Sequence, residues 1–242
     1  MPPEGAILWQ QFGAGNFPLD NEAAWPAQPH SIAIPNRAMR EASSVGDLDS
    51  FFAIGEAWGH TVTRFLPADP LVMDIGCGCG KLARFLYLNP SVRYIGVDLF
   101  RPAIEWCQRE FAPLAGDRFR FEHFDGISTV YNPSGTVKAT EYRLPAPDKT
   151  VDVVVCASLF THLLEPECKH YLSEISRVLR PAGRAIVSIH TQPPARQRFA
   201  GDARRIDIAE PYFCELAQEA GLELKQKLGL LYGQCALLLE RP

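Results

Sequence analysis

The stretch Leu71-Val-Met-Asp-Ile-Gly-Cys-Gly-Cys-Gly-Lys-Leu-Ala-Arg-Phe-Leu86 decides the fold. Leu71 to Ile75 is a short apolar run holding one acid, Asp74. Gly76, Gly78 and Gly80 follow at every second position. Lys81 to Leu88 then carries Leu82, Phe85 and Leu86 at helical spacing and stops at Asn89-Pro90. The pattern is a buried strand, a glycine turn and a helix start. Glycine lets the backbone turn tightly and approach a ligand with no Cβ in the way. Free amides at a helix start favour a polar or anionic ligand group. A loop rich in glycine only to make its turn rarely needs three of them in alternation.

The spacing narrows the ligand. A dinucleotide fingerprint is G-x-G-x-x-G, but here the last glycine comes one place early and Lys81 stands where that motif wants glycine. An acid inside the strand is also foreign to it. Asp74-Ile-Gly-Cys-Gly-Cys-Gly-Lys81 resembles the first motif of the class I, Rossmann-like, S-adenosylmethionine-dependent methyltransferases. The resemblance runs from about Phe51 to the C-terminus. It implies that Asp74, Gly76, Cys77, Gly78 and Gly80 hold the amino-acid end of the cofactor. Trp106-Cys107 and Tyr131-Asn-Pro-Ser-Gly135 are similar to a bacterial small-molecule branch of that family.

Downstream segments continue the pattern. Arg93 to Asp98 reads as a second strand. Asp98, followed by Leu99, stands about twenty residues past the loop, where an acid meets ribose hydroxyls in nucleotide-binding α/β folds. A helix-capping role is the other reading of Asp98. Pro102 to Phe111 is helical. Phe119 to Asp125 alternates as a half-buried strand does. The resemblance sets Asp125, before Gly126, against the adenine amino group. Val151 to Ala157 is nearly all apolar, the mark of a central parallel strand. Ser158-Leu159-Phe160-Thr161-His162 leaves its carboxyl end, where doubly wound sheets bind ligands. The family places this loop beside the departing methyl group. Ser158 and Leu159 would then border the cofactor, and Phe160 the acceptor.

The fold class expected is α/β, and the resemblance implies a doubly wound seven-stranded sheet in the order 3-2-1-4-5-7-6, with the last strand antiparallel. Residues 50–242 form this domain. Residues 1–49 lack sustained periodicity but hold Trp9, Phe12, Phe17 and Trp25. A disordered tail is usually poorer in aromatics, so the segment is expected to pack on the core or to close over a pocket as a lid. Asp49-Ser50 reads as the cap of a helix over Phe51 to about Leu66, weakened by Gly55 and Gly59. Residues 127–150 form an insertion, either functional or ornamental. A helix from Glu165 to about Leu179 leads through Pro181-Ala-Gly183 into a strand over 184–189. A loop then runs to about Glu210. Pro211 to Ala220 is helical, and two strands over 222–227 and 235–240 join through Gly229 and Gly233.

Methyl transfer to a hydroxyl calls for positioning and for a base to take the proton. His162 is the first candidate, just past the central strand, and His190 the second, at the next strand end. After the fourth strand stands Ala157-Ser-Leu-Phe160 rather than the Asn/Asp-Pro-Pro-Tyr/Phe stretch of the amide and exocyclic-amine N-methyltransferase branches of the resembling family, a departure that leans toward oxygen acceptors. Arg196, Arg198, Arg204 and Arg205 crowd one loop of a chain whose formal charge is −4. They suit an anionic metabolite or phosphorylated sugar. Alternatively they pair with Asp202, Asp207 and Glu210, contacts worth only about 0–1 kcal/mol each.

Composition bounds the rest. The acidic balance argues against a nucleic-acid partner. Seven cysteines, an odd number without paired metal-ligand spacing, read as reduced and imply a cytoplasmic setting and no metal. Cys77 and Cys79 read as small packing side chains. No run approaches a membrane span, and the N-terminus is no signal peptide. The expected partner is a small-molecule methyl acceptor, with the oligomeric state open. Two other classes stay open: a regulatory protein that binds S-adenosylmethionine without catalysis, and a nucleotide-dependent enzyme of different chemistry such as a dehydrogenase.

Overall fold

The computed structural model describes residues 32–43 and 45–242, so the aromatics expected to anchor residues 1–31 lie outside the described residues. Helix α1 (Arg37–Ser43) precedes α2 (Leu48–Thr63). The α/β core follows as β1 (Leu71–Ile75), α3 (Lys81–Leu86), β2 (Arg93–Asp98), α4 (Arg101–Ala115), β3 (Phe119–His123) and β4 (Val151–Cys156). It continues as α5 (Glu165–Val178), β5 (Leu179–Ile189), β6 (Phe199–Asp202), β7 (Arg205–Ile208), α6 (Glu210–Glu219), β8 (Glu223–Leu231) and β9 (Gln234–Glu240).

Seven strands form one sheet in the order β3-β2-β1-β4-β5-β9-β8. Counted within that sheet, this is the expected 3-2-1-4-5-7-6. The first five strands run parallel, and β9 is antiparallel to both β5 and β8. All of β4 is buried. Its alternate residues serve the two faces: Val154 and Cys156 pack with Leu172 of α5 and Phe213 of α6. Val153 and Val155 pack with Trp58 of α2 and Ile104 of α4. This is why the strand reads as an apolar run broken only by Asp152. The strand order reverses between β1 and β4, and ligands bind at such a point beyond the carboxyl ends.

Several boundaries differ from the sequence reading. Helix α2 starts at Leu48 because Asp47, not Asp49, is extended and accepts the amide of Ser50 at 2.7 Å. Its glycines are no weakness. A Cβ at Gly55 would lie 2.7 Å from the Lys81 carbonyl oxygen, and one at Gly59 would enter the Phe85 ring. The helix needs them to lie close against α3. Helix α4 extends to Ala115, with Pro113 in its last turn. The segment after β5 is a two-stranded antiparallel ribbon, β6–β7, rather than a plain loop. Gly229 lies inside β8 at a register shift, and the hairpin turn is Tyr232-Gly233. Both turn residues have positive φ (50° and 76°), as in a two-residue type I′ hairpin.

Residues 32–47 are fastened by two buried arginines. Arg84 donates to the carbonyls of Ile32 and Ala33. Arg40 donates to those of Pro35 and Gly46. No helix among the described residues is long and apolar enough to cross a membrane.

Candidate active site

The glycine loop is built by backbone conformation. Gly76, Gly78 and Gly80 have φ of +83°, +52° and +79°, a region disfavoured for residues with a Cβ. The amides of Gly76 and Cys77 donate to the Val97 carbonyl at 2.8 and 3.1 Å, tying the loop to the end of β2. A Cβ at Gly78 would press on Ser43 at 3.2 Å, and one at Gly80 on Phe111 and Cys107. Gly80 therefore serves the packing of α4. Cys77 and Cys79 are buried as small side chains, and burial pushes both thiols up.

Two of the three strand-end acids face one cavity. Asp74 accepts the Tyr94 hydroxyl on Oδ2 at 2.6 Å, while its buried Oδ1 has no partner. Burial pushes its carboxyl up to about 7, against the Tyr94 hydrogen bond. Asp98 accepts the Gly78 amide at 2.7 Å and the Phe100 amide at 2.8 Å, one on each oxygen. Burial raises its carboxyl too, and those two amides oppose the shift. Each Asp98 oxygen keeps a free lone pair for a ligand hydroxyl.

Asp125 departs from its expected place. Its oxygens accept Thr136 Oγ1 at 2.7 Å and Asn132 Nδ2 at 3.2 Å, and the Thr136 bond first of all holds the carboxyl low. Asp125 and Gly126 thus fasten the insertion. Phe124, one residue earlier, faces the cavity instead.

The cavity encloses about 660 Å³, within the roughly 300–1,000 Å³ usual for small-molecule sites. Asp74, Gly76, Cys77, Asp98 and Leu99 line its inner part, and Ser158, Leu159 and His162 line the stretch beyond β4. Ala42, Ser43 and Val45 add a wall from the N-terminal segment. Ser158 has φ +64°. A closed set of hydrogen bonds holds it there: its amide to Ser188 Oγ, Ser188 Oγ to Gln234 Oε1, and Gln234 Nε2 to Ser158 Oγ. A strained non-glycine backbone held this firmly is common at functional sites.

His162 has the geometry of a base. Its Nδ1 lies 3.1 Å from the Ala203 carbonyl in the β6–β7 turn. A carbonyl only accepts, so this partner assigns the proton of the neutral ring to Nδ1 and the lone pair to Nε2. Nε2 lies 3.4 Å from the Tyr131 hydroxyl, and the two rings meet edge to face at 5.4 Å.

The remaining candidates do not line the cavity. His190 is half-buried, its carbonyl taken by the Ile208 amide. Phe160 is fully buried edge-on to Phe213. Arg198 pairs with Glu215 at 2.8 Å and lies over the Tyr212 ring, while Arg196 is exposed. Arg205 pairs with Asp207. Of the acids expected to pair with these arginines, Asp207 meets Arg205 within the ribbon, whereas Arg198 takes Glu215 of α6 and Glu210 pairs with Lys227.

Comparison with known proteins bears on this arrangement. A family model described as "Methyltransferase domain" matches residues 73–187, from β1 through most of β5. A "Probable S-adenosylmethionine-dependent methyltransferase" of Mycolicibacterium smegmatis is 34% identical over 165 residues, 67% of this chain and 55% of that protein. The region from β1 to β5 is a methyltransferase domain of the class I, S-adenosylmethionine-dependent type.

A second relative is the 27-O-demethylrifamycin SV methyltransferase of Amycolatopsis mediterranei. It is 28% identical over 142 residues, 58% of this chain and 46% of that protein. The chain spans about half the length of these two curated relatives. Among solved structures, the fold is similar to that of Burkholderia thailandensis 1,6-didemethyltoxoflavin-N1-methyltransferase, solved with 1,6-didemethyltoxoflavin and S-adenosylhomocysteine. The TM-score is 0.55 at 22% identity, covering 98% of this chain and 86% of that one.

The cavity also contains residues that sequence reasoning missed. Tyr131, Phe124 and Gln234 line it. Tyr131 sits in a turn without periodicity, and Gln234 carries no motif. Their roles appear only when the insertion and the β8–β9 hairpin are folded against β4.

Proposed function

We propose that this chain transfers a methyl group from S-adenosylmethionine to a hydroxyl oxygen of a small molecule. The observation that carries the reading is the shared cavity. It joins Asp74, Gly76 and Cys77 of the glycine loop and Asp98 to His162, whose Nε2 meets the Tyr131 hydroxyl at 3.4 Å. The O-methyl name of the Amycolatopsis relative supports an oxygen acceptor. The N-methyltransferase name of the Burkholderia protein shows that this fold also serves nitrogen.

The residues present fit the cofactor. The unpartnered Oδ1 of Asp74 suits an ammonium group, and leaving such a buried atom unmade costs about 1–3 kcal/mol or more. Asp98 offers its remaining lone pairs to ribose hydroxyls, and Phe124 and Leu99 offer apolar flanks. When bound, S-adenosylmethionine supplies an electrophilic sulfonium methyl and leaves as S-adenosylhomocysteine. His162 accepts the acceptor's hydroxyl proton on Nε2, and the Ala203 carbonyl keeps the ring oriented through Nδ1. Ser158 and Leu159 close the cavity beside it and limit water.

The test is incubation with S-adenosylmethionine and a panel of hydroxylated and aminated compounds, read by mass spectrometry. Methylation of hydroxyl compounds, lost in His162→Ala, supports the reading. Methylation of amines alone rejects the oxygen acceptor. Tight cofactor binding with no turnover on any compound favours the regulatory alternative.

A further inference from the structure

The outer cavity is rimmed by exposed apolar side chains from three separate parts of the chain. Ile127 (44% exposed) comes from the insertion, Leu164 (45%) from the start of α5, and Tyr232 (52%) from the β8–β9 turn. All three line the cavity, as does Tyr131. Apolar residues scattered singly over a surface need no explanation, but their convergence on one opening does. Tyr232 adds an independent sign. It occupies a positive-φ turn position where asparagine or glycine is usual, so the turn keeps a bulky ring there at a conformational cost.

Charge at the opening points the same way. The charged side chains lining the cavity are Asp74, Asp98, Glu167 and Lys81, with the ionisable His162. Lys81 acts electrostatically on Asp74 and Asp98, at the cofactor end. Glu167 stands near Leu164, whose amide it accepts at 2.7 Å. Among the described residues, no arginine lines the cavity. An anionic acceptor would meet a carboxylate at the mouth and no guanidinium to hold it.

We infer that the acceptor is an uncharged, hydroxyl-bearing molecule with a hydrophobic body that lies across Ile127, Tyr131, Leu164 and Tyr232. The hydroxyl end of this inference rests on the proposed oxygen transfer, whereas the body's contact with the rim does not.

The probes are 4-alkylphenols of increasing chain length, the matching alkylbenzenes without the hydroxyl, and 4-alkylbenzoates. Binding is measured by calorimetry on the full chain saturated with S-adenosylhomocysteine, and turnover of the phenols separately. Affinity is expected to rise about fourfold per methylene, equivalent to about 0.8 kcal/mol, until the tail passes the rim. Leu164→Ser and Ile127→Ser should flatten that slope, while Leu230→Ser, 76% exposed and outside the cavity, should leave it unchanged. Leu164 has the extended backbone of an N-cap (φ −65°, ψ 161°), a position that favours serine, so this variant should fold. Benzoates should bind at least about tenfold more weakly. Affinity independent of chain length, an equal slope in the rim variants, or a preference for the benzoates overturns the inference. Alkylbenzenes that bind with the expected slope, alongside phenols that are never methylated, support the rim and reject the hydroxyl reading.

Discussion

The amide of Gly78 donates to Oδ2 of Asp98 at 2.7 Å, so the glycine loop and the acid twenty residues later are one structural unit. Neither can be altered without disturbing the other.

Asp98→Ala is therefore expected to act twice. It strands the Gly78 and Phe100 amides, at about 1–3 kcal/mol for each left unsatisfied, and it removes the ribose acceptor. Gly78→Val forces a side chain onto φ +52° and against Ser43. Calorimetry should show S-adenosylmethionine affinity at least about tenfold lower in both variants. Unchanged affinity in both folded proteins would remove this loop from the cofactor site.

Asp74 predicts a pH dependence. Its carboxyl lies at about 7 in the fold and near 3.8 in the open chain. Between those values the folded protein holds a proton that the unfolded chain has lost, so stability falls as pH rises through this window and levels off above it. Asp74→Asn removes that slope. Its unfolding free energy relative to the parent should climb from pH 4.5 to pH 8, by an amount on the order of a few kcal/mol. A gap constant with pH would mean that Asp74 stays ionised throughout.

Gly55 predicts a packing effect transmitted to the site. Alanine there meets the Lys81 carbonyl, a backbone atom with little freedom, at 2.7 Å. The expected cost is about 1–3 kcal/mol, or roughly 2–4 °C in melting temperature per kcal/mol for a chain of this size. Lys81 opens α3 directly after the glycine loop, so cofactor affinity should fall as well. A variant as stable as the parent would show that α2 does not need this close approach.

Tyr131 separates ring from hydroxyl. At 3.4 Å its hydrogen bond to His162 is long, so Tyr131→Phe should lower kcat/KM by less than about tenfold. Tyr131→Ala also removes the edge-to-face contact and part of the rim, and should raise the acceptor's KM further. A loss in Tyr131→Phe as large as in His162→Ala would move the proton acceptor to the tyrosine.

How much could be read in advance depended on whether the signal was local. The β1 loop was legible because alternating glycines between a strand and a helix have few other causes. β4 was legible because a strand covered on both faces is almost wholly apolar, here broken only by Asp152. The β6–β7 ribbon was not. Its four-residue strands carry one arginine and two aspartates, and the turn between them has no turn dipeptide. Yet its turn supplies the carbonyl that orients His162. Asp125 shows the same limit, since an acid at a strand end is a sound reason to expect a ligand contact. Its actual partners, Asn132 and Thr136, lie in an insertion whose path no spacing announces. The hairpin turn was misplaced because tyrosine at positive φ is not a turn signal, whereas Gly229 inside β8 is one.

The measurement that bears most directly on the account is single-turnover methyl transfer to a hydroxylated acceptor by the parent and by His162→Ala, each saturated with S-adenosylmethionine. Cofactor affinity is determined in parallel by calorimetry. The predicted result is a chemical step at least about a hundredfold slower in the variant, with cofactor affinity unchanged. A variant that transfers the methyl group as fast as the parent would contradict it.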